Sequence, residues 1–232
     1  MPSSQYYHIS KIMEMVIALK PNSVLDMGSG FGKFGVLCRE YLELWDGRQK
    51  YDFKRRIDCV EVFQQYISPL HHYIYDNIYN KDILDIASKL DIRYDLVLLI
   101  DVLEHFEKDD GINLIRTLLA NNECILISTP KKPTPQKDAF DNVYETHRSV
   151  WTPTELSSLG DAAFVRDDIS WIAVISSNKN IISDFDNDIR RLRSHGKLPV
   201  EAKLKRFARQ VPGIARTYRK LKVKKKDINF QH

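Results

Sequence analysis

Residues 94–102 read YDLVLLIDV, a run with almost no polar alternation. A strand with one face in water alternates apolar and polar residues, so this run suits a strand covered on both faces. Parallel sheets packed between helices provide that environment. The run is far too short to cross a bilayer, and Asp101 interrupts it. It therefore points to a layered α/β domain and away from a membrane span.

The flanking sequence agrees. Residues 9–20 (ISKIMEMVIALK) place apolar side chains at helical spacing before Pro21-Asn22, and SVLDM follows as a buried strand. A glycine-rich turn leads to a helix over 34–44, a charged connector over 46–55, and the strand RIDCVEV. Residues 64–79 read as helical, with Pro69 marking an early first turn or a kink. A short strand or turn is expected at 80–84, then a small helix ending near 90. After YDLVLLIDV come a helix over 108–120 and the strand ECILIST. Prolines 130, 133 and 135 open an irregular, polar segment to about 150 that suits a lid. The sequence TPTE starts a helix at Thr152 or Thr154. Strands at 164–166 and 170–176, with no helix between them, predict a terminal antiparallel hairpin. The alternation predicts a doubly wound, mostly parallel α/β sandwich.

The glycine turn narrows the chemistry. In LDMGSGFGKFG, Lys33 follows Gly32, but a triphosphate loop would need glycine at Met27 and a hydroxyl at Phe34. The last six letters match the dinucleotide fingerprint, yet the strand ends at Met27. Counted from Gly28, the third glycine then falls one position early. What fits is strand–Asp–x–Gly–x–Gly–x–Gly, with Asp26 offering a carboxylate and Gly28, Gly30 and Gly32 admitting a ligand close to the backbone. Further acids end the next strands: Glu61 in CVEVF, Asp82 in NKDIL and Asp101 in LLIDVLEHF.

This ordered set, from about residue 24 to 176, resembles the class I S-adenosylmethionine-dependent methyltransferase superfamily. The resemblance implies a seven-stranded Rossmann-like sheet and S-adenosyl-L-methionine as cofactor. It implies a cofactor site of Asp26, Gly28, Ser29, Gly30, Gly32, Glu61, Val62, Asp82, Ile83, Asp101 and Val102. In it Asp26 faces the ammonium group, Glu61 takes both ribose hydroxyls, Asp82 meets the adenine amino group beside Ile83, and Asp101 lies at the methionine end.

In-line methyl transfer to an oxygen or ammonium nucleophile needs a proton acceptor, and His147 (in YETHRSVW) and His105 are the candidates. Tyr144, Arg148 and Trp151, with Glu145, supply groups fit for a polar substrate. The N/D-P-P-Y/F motif of base and glutamine amino methyltransferases is missing after the fourth strand, as is a Pro-Cys nucleophile. Asp141-Asn142 with Asp101 resembles the metal set of catechol-type O-methyltransferases. Their separation is loose and the dipeptide reads as a turn, so no metal is expected.

The charge is uneven: residues 190–232 carry fifteen Lys/Arg against two acids, leaving the remaining body acidic within a net +4. Residues 1–179 are expected to form the cofactor-binding domain, with an N-terminal helix over 1–20 and the lid over 130–151. Residues 180–232 form a basic, amphipathic helical extension. Its partner stays open among the domain itself, a second copy in a homodimer, an anionic membrane surface and nucleic acid. The three cysteines lack metal-ligand spacing and read as reduced core residues. With no signal-peptide pattern, the chain is expected in the cytoplasm. The expected function is methyl transfer to a small-molecule or glycan-type acceptor, on oxygen. The alternatives are an RNA methyltransferase gripping through the tail and a non-catalytic cofactor-binding regulator.

Overall fold

The computed structural model describes residues 6–132 and 142–195. In chain order the elements are α1 (Ile9–Leu19), β1 (Ser23–Met27), α2 (Lys33–Leu42), β2 (Arg56–Val60), α3 (Pro69–Ile74), β3 (Ile78–Tyr79) and α4 (Ile83–Ile86). They continue with β4 (Leu96–Ile100), α5 (Lys108–Asn121), β5 (Ile125–Pro130), α6 (Pro153–Ser157), β6 (Asp161–Val165), β7 (Ser170–Ser176) and α7 (Lys179–His195). The seven strands form one sheet in the order β3-β2-β1-β4-β5-β7-β6. All pairings are parallel up to β4–β5, whereas β7 runs antiparallel to both β5 and β6.

The apolar run at 94–102 contains β4, and all five residues of that strand are buried. It pairs with β1 and β5 at the centre of the sheet. Helix α1 buries Ile12, Met13, Met15 and Val16 on one face of the sheet. It ends at Lys20, whose left-handed backbone (φ 49°) lets its N–H close on the Val16 carbonyl before Pro21. The other face is covered by α5 through Leu114, Ile115 and Leu118. Chain order reverses between β1 and β4, so a ligand crevice opens at the carboxyl ends of these strands.

Four expectations need correction. Residues 64–79 form no single helix: a 3-10 turn at Gln64–Tyr66 is followed by α3, with Pro69 in its first turn behind a Ser68 cap. The third strand lies at Ile78–Tyr79, upstream of 80–84, because it pairs with Cys59 and Val60. Strand β6 begins at Asp161, ahead of residue 164. Finally, the boundary expected between 179 and 180 falls inside core-forming chain. Helix α7 sends Ile182, Phe185 and Ile189 into the core, and the first compact unit runs over Met1–Ile189. The Thr152 cap is as expected, its hydroxyl and Glu155 forming a reciprocal capping box on α6. Residues 196–232, which hold most of the basic extension, lie outside the described residues, as do residues 133–141 of the expected lid.

Candidate active site

The turn after β1 is held from several sides. The Gly28 and Ser29 N–H groups both donate to the Val60 carbonyl, hooking the loop onto the end of β2 (2.9 and 3.2 Å). Gly28 has φ 72°, and a Cβ there would meet Val102 Cγ2 at 2.6 Å. Both the conformation and the space therefore demand glycine. The Gly30 N–H donates to Glu61 Oε2 at 2.7 Å, and Glu61 Oε1 accepts from the Phe63 N–H at 2.9 Å. His71, which sequence reasoning missed, clamps the loop from α3. The Ser68 N–H donates to its Nδ1, so its Nε2–H donates to the Gly30 carbonyl at 3.0 Å.

A cavity of about 450 Å³ opens over this turn, within the size range of small-molecule sites. Of the expected cofactor residues, Gly28, Ser29, Gly30, Glu61, Val62, Asp82, Ile83, Asp101 and Val102 line it. Asp82 also caps α4 by accepting the Leu84 N–H. Asp101 stands at φ 54°, a strained conformation for a non-glycine residue. Ser128 Oγ donates to its Oδ1 at 2.6 Å, and His8 Nε2 lies 3.5 Å from its Oδ2.

Asp26 and Gly32 are not on the cavity wall. Asp26 is buried and accepts the Tyr75 hydroxyl at 2.6 Å. The carboxylate expected to face a ligand's ammonium group is thus engaged by Tyr75 and is not among the residues lining the cavity. Gly32 begins α2 in the left-handed conformation, close to His71 and Tyr75. Gly35, dismissed with the off-register fingerprint, has its own reason to be glycine. A Cβ there would lie 2.3 Å from the Tyr75 ring, the ring whose hydroxyl holds Asp26.

Burial pushes the Asp26 carboxyl up to about 6, against the opposing hydrogen bonds from Tyr75 and the Gly35 backbone. Burial likewise raises Glu61 to about 7, despite its two backbone donors. A carboxyl raised on folding keeps a proton that the unfolded chain releases, so its stability contribution is full below the unfolded value and declines as pH rises toward the folded one. For Glu61 that window runs from 4.5 to about 7. In urea unfolding, the parent chain is expected to lose stability relative to Glu61→Gln between pH 4.5 and 8, by on the order of 3 kcal/mol. A constant difference across that range would refute the burial argument.

The far end of the cavity from the glycine turn is built by the 3-10 turn Leu103–His105 and the segment 142–149. Both the Arg148 and Ser149 N–H groups donate to the Glu104 carbonyl (2.8 and 3.1 Å), and His105 Nδ1 donates to the Thr146 carbonyl at 3.3 Å. These bonds bring His147 against His105, ring centroids 4.9 Å apart at 72°. His105, Tyr144 and Arg148 line the cavity, whereas His147, an expected proton acceptor, is not among the lining residues. Burial, then the facing His147, pushes His105 down to about 4. Glu104 is 3% exposed, and burial and the Asp101 charge hold its carboxyl well above the usual carboxylate range.

Trp151 does not reach the cavity, which corrects its expected substrate contact. It is fully buried in the core, with Gly111 of α5 leaving it room: a Cβ there would meet the indole at 2.6 Å. Lys33 and Tyr66 are lining residues that sequence reasoning passed over. Tyr66 donates its hydroxyl to Glu145 Oε1 at 3.1 Å, joining the 64–66 turn to the returning segment. Asp141 lies outside the described residues.

The glycine cradle, the Glu61 carboxylate and the apolar wall at Val62, Ile83 and Val102 fit a nucleoside-sized ligand. A family model described as a methyltransferase domain matches residues 5–163. No curated protein matches the sequence. Among solved structures, the chain is similar to an O-methyltransferase family protein from Burkholderia thailandensis, with a TM-score of 0.53 and 12% identity. That match covers 75% of this chain and 56% of the other, so this chain spans little more than half its length. DhpI in complex with SAH matches with a TM-score of 0.50 and 15% identity, over 74% of this chain and 87% of that one. Magnesium protoporphyrin IX methyltransferase from Synechocystis PCC 6803 with bound SAH gives 0.50 and 12%, over 74% and 83%. At such identities the likeness is one of fold, while the family match extends over more than half of the sequence. The chain belongs to the methyltransferase-domain family, within the class I S-adenosylmethionine-dependent superfamily.

Proposed function

We propose that this protein transfers a methyl group from S-adenosylmethionine to oxygen on a small-molecule or glycan-type acceptor. When bound, the cofactor supplies a methyl group already activated by its positive sulfur. Glu61 would hold the ribose hydroxyls, Asp82 and Ile83 the adenine, and the turn at Gly28–Gly30 the methionine portion. Asp26 and His71 keep that turn in place from below.

The observation that carries the oxygen reading is the orientation of His105. A carbonyl oxygen only accepts, so the contact with Thr146 fixes the proton on Nδ1 and leaves the Nε2 lone pair available. Burial keeps this imidazole neutral. The acceptor hydroxyl's proton is thus handled at the His105–His147 pair, while Tyr144 and Arg148 supply aromatic and cationic contacts on the acceptor side.

The test is transfer of labelled methyl from S-adenosylmethionine into fractionated cell extract by the full chain, followed by identification of the labelled species. The expected product is a methyl ether on a small molecule or glycan. Label found in RNA, or none in any fraction, overturns the reading. His105→Ala and His147→Ala are each expected to lower turnover about 10²–10⁴-fold, with cofactor affinity unchanged within about threefold by calorimetry.

A further inference from the structure

His105, which lines the cavity, belongs with Glu104 and His147 to a group of side chains that proton transfer alone leaves unexplained. Glu104, His105 and His147 each offer a ligand atom, and these atoms lie within 4.8 Å of one another. Glu104 is 3% exposed, and its Oε2 has no hydrogen-bond partner among the described residues. A carboxylate oxygen withdrawn from water without a partner is costly, and buried polar atoms in folded proteins are otherwise satisfied. We infer that Glu104, His105 and His147 bind one divalent transition-metal cation where His105 meets the cavity wall.

The surrounding bonds suit this. A metal-ligating imidazole commonly donates its second ring nitrogen to a carbonyl, which fixes the tautomer and aims the other nitrogen. His105 does this through Thr146. The two N–H groups on the Glu104 carbonyl fix the returning segment against the Leu103–His105 turn, so the donors on both strands of chain are positioned by backbone. For a tetrahedral ion with ligand distances near 2.1 Å, donors stand about 3.4 Å apart, a contraction that side-chain rotation achieves. Two imidazole nitrogens and one carboxylate oxygen favour manganese, iron, cobalt or zinc over magnesium or calcium, which take all-oxygen sets. Asp101 is not counted as a ligand, because Ser128 and His8 already engage its two oxygens.

Three protein ligands leave coordination positions open, as catalytic sites do. On the methyl-transfer reading, on which this role rests, an open position takes the acceptor oxygen. With the ion bound, it would lower that hydroxyl's pKa, the proton would pass to solvent water, and the oxygen–methyl bond would form as the sulfonium–methyl bond breaks and S-adenosylhomocysteine leaves, the imidazoles holding the ion. The substrate class is thereby narrowed to acceptors whose reactive hydroxyl can coordinate a metal.

The test uses the full chain, freed of metal by chelator and titrated with Co²⁺ while visible d–d absorption is recorded. One equivalent is expected to bind, and a tenfold excess of Mg²⁺ is expected not to displace it. Glu104→Gln and His147→Ala should each weaken Co²⁺ binding by about 10–100-fold. Unfolding curves establish that both variants are folded, and calorimetry checks that both retain the parent's S-adenosylmethionine affinity. Absence of Co²⁺ absorption in the parent, or parental Co²⁺ affinity in both folded variants, overturns the site. Cofactor binding without cobalt binding defeats the metal alone; cobalt binding without cofactor binding upholds the metal and defeats the methyl-transfer reading.

Discussion

Glu61→Ala is expected to weaken S-adenosylmethionine binding by at least about 100-fold in calorimetry. Glu61 sits at the end of β2 with both oxygens on backbone donors, Gly30 on one side and Phe63 on the other. Each oxygen has a second lone pair to offer the cavity. Hydrogen bonds to a charged group are worth about 1.5–3 kcal/mol each. Two such bonds to a diol, lost together, correspond to a hundredfold or more in affinity. Alanine also frees the Gly30 N–H and loosens the turn, adding to the loss. Asp82→Ala serves as the comparison: its carboxylate already caps α4, so its loss should cost much less affinity. Equal affinities for parent and Glu61→Ala would remove Glu61 from the cofactor site.

Trp151→Ala is expected to destabilise the fold by about 3–5 kcal/mol, the range for truncating a large buried aromatic. The indole is fully buried, donates its N–H to Ser149 Oγ at 3.0 Å, and carries the Lys108 ammonium 4.0 Å above its ring. It packs on α5 where Gly111 makes space. Urea unfolding measures the loss, and cofactor affinity under native conditions should stay within about threefold of the parent's. Parental stability in this variant would mean that the side chain is not a core residue. A lost acceptor interaction at parental stability would return it to the substrate site.

The contrast between these two residues shows what the sequence made legible. That Glu61 lies on the cavity wall was legible because it terminates an apolar run, and a strand's end has a fixed place in an open parallel sheet. The placement of Gly28, Gly30, Val102 and Asp101 on that wall was legible in the same way, each at a known offset from a strand. Trp151 lies in a segment without periodicity, and nothing in YETHRSVW separates residues facing the cavity from residues facing the core. The contact between His105 and His147 has the same origin: it depends on the Arg148 and Ser149 N–H groups donating to the Glu104 carbonyl and on His105 Nδ1 donating to the Thr146 carbonyl. Asp26 was legible as important but not in its role. Its partner Tyr75 lies 49 positions away, and the glycine that makes room for that ring, Gly35, belonged to a motif discarded for its register.

The set Asp26, Tyr75, Gly35 and His71 also bears on how a ligand is captured. His71 to the Gly30 carbonyl and Tyr75 to Asp26 are bonds within the protein, and Gly35 leaves room for the Tyr75 ring, so the cradle is built without a ligand. Association therefore does not spend binding energy on ordering this loop, as a fold-on-binding site would. Encounter at the cradle resembles docking onto a rigid surface, so the association rate is set by diffusion and orientation rather than by a preceding conformational step.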